Sequence, residues 1–103
     1  MKVAKVKRLA QAGWRVGSAK DFLDLSPEEA ALVDMRLALS KKLRECRVDS
    51  GLSQSQLATR VGSSQSRIAK MEAADPTVSL DLLIRSLLAL GASTKDIARA
   101  LAA

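Results

Sequence analysis

The chain has no histidine and no tyrosine, and its 103 residues include one cysteine, one tryptophan, one phenylalanine and two prolines. Without histidine it lacks the commonest metal ligand and the usual general base near neutral pH. It also has no glycine-rich phosphate loop, no nucleophile motif and no cysteines at metal-ligand spacing. Neither an enzyme nor a metal or cofactor site is expected. The lone Cys46 excludes an internal disulfide and fits a reducing compartment. Set within an apolar helical pattern, it reads as a small core residue rather than a redox group. No apolar run approaches the ~18–20 residues needed to span a bilayer, and the basic start lacks a continuous apolar segment of signal-peptide type. A cytoplasmic location without membrane association is expected.

Hydrophobic residues nevertheless make up 48% of the chain, and with so few aromatics the core must come from Leu, Val, Ile and Ala. Helical packing suits those side chains. No alternating β-branched run is present, so a sheet has little to be made from. The expected class is all-α, in one domain of a length that normally buries its own core. The net charge of +6 and pI near 10 fit a chain that meets phosphates, although an anionic membrane surface or an acidic partner would select the same sign. The excess is uneven: residues 1–25 hold six Lys/Arg against two Asp, and the rest hold eleven against nine acidic residues.

The most informative stretch is LSQSQLATRVGSSQSRIAKME, Leu52 to Glu72. Leu52, Leu57, Ala58 and Val61 fall at helical spacing, Gly62 interrupts them, and a second helical pattern resumes at Gln65 with Ile68 and Met71. Ser53 with Gln56 three residues on matches a capping box, and Ser64 can cap the second helix. Gly62 suits the left-handed position that ends a helix. Helix, tight turn, helix is the unit that sets its second helix in the DNA major groove. Here that helix offers Gln65, Ser66, Arg67 and Lys70 on one side, while Ile68 and Met71 point back to a core. Gln can pair bidentately with adenine and Lys can donate to guanine.

Around this unit, Ser26, Pro27 and Glu29 start a long first helix that runs to about Val48, with Ala30, Ala31, Val33, Met35, Leu37, Leu39, Leu43 and Cys46 as its apolar positions. Gly51 ends it. After Glu72, the AADPT segment is a turn, because Asp75 precedes Pro76. Ser79 and Asp81 open a fourth helix, apolar over most of its circumference, which ends at Gly91. Ser93 or Thr94 caps a last helix with a stripe of Ile97, Ala98 and Leu101, which completes the core or joins a second copy. The lead interleaves Lys2, Lys5, Lys7 and Arg8 with Val3, Val6 and Leu9. It reads as a frayed basic tail, an arm along DNA, or a segment that orders on a protein partner. Trp14 reads as packing against the body, and Ser18 as the cap of a short helix with Phe22 and Leu23.

The pattern LSQSQLATRVGSSQSRIAKME resembles the helix-turn-helix domain of the Xre/Cro/phage-repressor family, and the likeness runs from about Arg36 to the C-terminus. The resemblance implies a five-helix, lambda-repressor-like domain, usually a homodimer, that binds an operator in double-stranded DNA. Two recognition helices related by a two-fold axis then predict an inverted-repeat operator. Gln54 matches a glutamine that contacts a phosphate and buttresses Gln65. Gln65, Ser66 and Lys70 match base-reading positions, Ser64 and Arg67 match positions at the sugar-phosphate backbone, and Arg47 with Glu72 matches an internal ion pair.

The flanks GWRVGSAKDFLDLSPEEAALVDMRLALSKKLRE and SQSRIAKMEAADPTVSLDLLIRSLLALGAS are similar to HigA-type antitoxins, which bind a RelE/HigB-like toxin and repress their own operon. On that likeness, residues 1–25 form a basic N-terminal extension and residues 26–103 the DNA-binding domain. The alternatives are a stand-alone phage- or prophage-type Xre regulator without a toxin partner, and a nonspecific architectural DNA binder.

Overall fold

A computed structural model describes residues 25–103. The basic lead with Trp14 and the short helix expected after Ser18 lie outside the described residues. Five helices follow: α1 (Pro27–Asp49), α2 (Gln54–Val61), α3 (Gln65–Glu72), α4 (Leu80–Ala89) and α5 (Thr94–Ala102). Among the described residues there is no strand, and no helix is long and apolar enough to cross a membrane.

Each helix begins where a serine can satisfy an amide that helical geometry leaves unpaired. Ser26, Ser53, Ser64, Ser79 and Ser93 accept through Oγ from the backbone N–H three residues on, at 3.0–3.1 Å. Such caps contribute about 1 kcal/mol each. For α1, α2 and α5 the bond is reciprocated: the backbone N–H groups of Ser26, Ser53 and Ser93 donate to Glu29, Gln56 and Asp96 at 3.2, 2.8 and 2.8 Å. Thr94, the other candidate for the last cap, is already inside α5.

The helix stops follow one rule as well. α2 runs into Gly62 at φ 70°, and the Ser63 N–H then bonds back to the Ala58 carbonyl at 2.8 Å. α3 stops the same way without a glycine: Ala74 takes φ 56°, and the Asp75 N–H reaches the Lys70 carbonyl at 3.0 Å. Beyond it, Asp75 accepts the Thr77 N–H at 2.8 Å and shapes the turn around Pro76.

α1 is the spine against which α3, α4 and α5 pack, and α2 lies on α3. The core joins Leu39 and Leu43 of α1, Leu57 and Ala58 of α2, Ile68 and Met71 of α3, Val78, Leu83 and Leu87 in and before α4, and Ile97 of α5. Cys46 packs half-buried against this cluster, and burial raises its thiol pKa above the ordinary value. Two serines are buried, Ser40 on α1 and Ser86 on α4. Ser86 donates to the Leu82 carbonyl at 2.9 Å, while the Ser40 hydroxyl has no partner. Arg36 ties α1 to the loop before α4 by donating to the Val78 carbonyl at 3.3 Å. The stripe expected on the last helix is covered only in part. Ile97 is buried, but Ala98 is exposed and Leu101 is 38% exposed, because the body ends before it reaches them.

Candidate nucleic-acid interface

The interface is assembled from α3 upward. Ile68 and Met71, three residues apart, seat one side of α3 in the core at 0% exposure. Helical geometry then turns the opposite side outward. Ser64, Gln65, Ser66, Arg67 and Lys70 are all exposed. The turn at Gly62 sets the angle at which α3 leaves α2, and the Ser64 cap fixes its first turn.

Gln54, on the first turn of α2, is half-buried behind this edge, and its Oε1 accepts from Gln65 Nε2 at 2.8 Å. Arg47 and Glu72 lie beneath. The guanidinium donates through Nε to Glu72 Oε2 at 2.6 Å and through Nη2 to Oε1 at 3.0 Å, and its Nη1 donates to the Leu52 carbonyl at 2.8 Å. Their side chains are 14% and 6% exposed, so the pair is enclosed and bidentate rather than a surface contact. The hydrogen bonds to Glu72 hold the Arg47 pKa above its ordinary value. In this position the pair joins the end of α1 to the end of α3.

The eight residues singled out from sequence therefore fall into two layers, an exposed edge of Ser64, Gln65, Ser66, Arg67 and Lys70, and a support of Gln54, Arg47 and Glu72. Two features of the site were missed. Thr77, with Val78 and Leu82, closes a polar concavity of about 250 Å³ against Ser64, Ser66, Arg67 and Lys70. The only sequence signal for it is the Asp75–Pro76 turn that aims this loop back toward α3. The second is a direct bond from Gln54 Nε2 to Glu72 Oε1 at 3.2 Å, for which the sequence carries no signal. Among the described residues no group of His, Cys, Asp and Glu is arranged to hold a metal ion.

No curated protein and no solved structure matches the chain. Residues 38–100 match the family model described as a helix-turn-helix domain, more than half of the chain and both helices of the geometry above. The chain thus belongs to the helix-turn-helix domain family, a family of DNA-binding domains.

Proposed function

We propose that the chain is a sequence-specific transcriptional repressor that binds an inverted-repeat operator as a homodimer. The observation that carries this reading is the division of α3 into a fully buried face, Ile68 and Met71, and an exposed polar edge. In this reading Gln65, Ser66 and Lys70 contact base edges, and Gln54, Ser64 and Arg67 hold the sugar-phosphate backbone. The mixture of amide, hydroxyl and charged groups favours specific recognition, since a nonspecific binder needs charge alone. Homodimerisation is supported by large apolar side chains left outside the core, Leu88 at 46% and Leu101 at 38% exposed.

A binding titration against cognate and scrambled duplexes at several salt concentrations tests it. Gln65→Ala is expected to lose about 1–3 kcal/mol on the cognate duplex and to relax one base position, whereas Arg67→Ala weakens both duplexes alike and lowers the salt slope by about one. Equal losses on both duplexes for Gln65→Ala would remove it from the base readers.

The finer reading is an antitoxin of a type II toxin–antitoxin module that represses its own operon. It draws support from the flanking segments similar to HigA-type antitoxins and from the concentration of basic charge in residues 1–25, read as a toxin-binding extension of the domain at 26–103. Co-purification of the untagged neighbouring gene product with the full chain tests this. A chain that repressed its promoter and captured no neighbour would be a stand-alone regulator.

A further inference from the structure

The hydrogen bonds that run from the ion pair to the surface have a direction, and chemistry fixes it. A carboxylate bound to a guanidinium can only accept. Glu72 receives Nε and Nη2 of Arg47 and, on Oε1, a third N–H from Gln54 at 3.2 Å. Gln54 must therefore turn its amide nitrogen inward. Its Oε1 is left facing out, where it accepts Nε2 of Gln65 at 2.8 Å. Gln65 in turn keeps its own Oε1 and one N–H for whatever lies beyond the surface.

We propose that Glu72, acting through Gln54, fixes the order in which Gln65 presents its acceptor and its donor, and that this makes Glu72 a positioning residue for base discrimination. The inference rests on Gln65 reading a base. The terminal amide torsion of an unsupported glutamine has two broad, nearly equivalent settings that exchange oxygen and nitrogen. Locked in one of them, Gln65 makes both bonds to adenine, with Oε1 on the N6 amino group and N–H on N7. Guanine offers acceptors at both N7 and O6, so the locked Oε1 meets O6 lone pair to lone pair. Released from Gln54, Nε2 of Gln65 recovers its second N–H and can donate to N7 and O6 together, with Oε1 turned away from the base. The lock thus acts against the wrong base more than for the right one.

The buried charge is what makes the lock one-directional. A neutral amide at position 72 can donate as well as accept, and the sense of the relay would be lost. The pair's enclosure, at 14% and 6% side-chain exposure, keeps water from offering Gln54 a competing partner at its inner end.

The test uses the full-length chain. Selection from a library of randomised duplexes gives the preferred site, and competition titrations then compare it with a duplex carrying guanine for adenine at the position that Gln65→Ala flattens. Gln54→Met cuts the relay and leaves the Arg47–Glu72 pair in place. The double variant R47M/E72M removes the carboxylate while filling its space with apolar groups of similar length. In both, the adenine-over-guanine ratio at that position is expected to fall roughly tenfold, the size of one good bidentate base contact. Loss of a phosphate contact by Gln54 lowers binding to both duplexes and cancels in the ratio, and a merely structural role for the pair would do the same. Thermal midpoints measured alongside identify a variant that has lost its fold; Gln54→Met alone still decides the matter if the double variant does not fold. An unchanged ratio in Gln54→Met, with Gln65→Ala still flattening the position, would overturn the relay. If Gln65→Ala flattens no position at all, the base-reading assignment has failed and takes the relay with it.

Discussion

Ser40 is the least comfortable residue in the body. Its hydroxyl is buried at 2% exposure on α1, and it has no partner. Ser86, the other buried serine, avoids the same penalty by bonding the Leu82 carbonyl of its own helix. A buried, unpaired hydroxyl costs about 1–3 kcal/mol, and alanine removes it without leaving a cavity of consequence. Ser40→Ala is therefore expected to raise unfolding stability by about 1 kcal/mol, read as a higher denaturation midpoint at unchanged slope. A lower midpoint would mean that the hydroxyl has a partner in solution. Ion pairs sort by the same attention to surroundings. Asp81 and Arg85 are paired at 3.1 Å, but with side chains 72% and 76% exposed they contribute only about 0–1 kcal/mol. The enclosed Arg47–Glu72 pair is different, because removing one partner strands the other and costs about 3–5 kcal/mol.

At the level of the helices, beginnings were legible in the sequence and endings less so. A serine cap involves residues three apart, so Ser26, Ser53, Ser64 and Ser79 announce their helices locally. Three of the stops announce themselves with glycine, but Ala74 does not, since nothing in an alanine marks a positive φ in advance. Burial is likewise invisible locally: periodicity groups Ile97 with Ala98 and Leu101 but does not say where the body ends. The exposed edge of α3 could be read because period 3.6 separates it from Ile68 and Met71. The bonds from Gln54 to Glu72, 18 residues apart, and from Arg36 to Val78 could not, because only the tertiary fold brings them together.

These differences make Gly62 and Ala74 a matched test. No atom lies within 4 Å of a Cβ added at Gly62, so Gly62→Ala meets only backbone strain and is expected to cost about 1 kcal/mol. Ala74→Gly relieves about 1–2 kcal/mol of such strain. It also gives up a methyl group buried at 4% exposure, about 0.8 kcal/mol, and adds unfolded-state entropy of about 0.4–1 kcal/mol. The opposing changes nearly cancel, and a shift within about 0.5 kcal/mol of zero is expected by chemical denaturation. A clear gain would show the Ala74 methyl to be poorly packed. At α5 the cap is ionisable. Asp96 accepts the Ser93 backbone N–H at 2.8 Å, and this bond, with one from the Ser93 hydroxyl and the nearby Arg99, holds its carboxyl pKa below the ordinary value. A depressed carboxylate contributes stability above its unfolded pKa and loses it as pH falls through the folded one. The stability difference between the protein and Asp96→Asn is therefore expected to be level near neutrality and to shrink below about pH 4. A difference that stays constant down to pH 2 would mean that the cap does not depend on charge.

For the molecule as a whole, the question is what the lead contributes. The central cluster runs from Leu39 to Ile97, the family match covers 38–100, and α1 opens with its own reciprocal cap at Ser26. Each of these is built from residues outside 1–17, a segment that holds five Lys/Arg and no acidic residue. If the chain grips DNA through α3 and its support, removing that segment takes away most of the net charge without touching the grip. Deleting residues 1–17 is therefore expected to leave the thermal midpoint within a few degrees and the salt slope of operator binding within about one phosphate contact of the full chain, a slope change of about 0.9. Capture of the neighbouring gene product should be lost, because the segment is read as the part that orders on that partner. A salt slope that fell by three or four would instead place the lead along the DNA backbone and turn the extension into part of the operator contact. A collapse of the midpoint would make it part of the core.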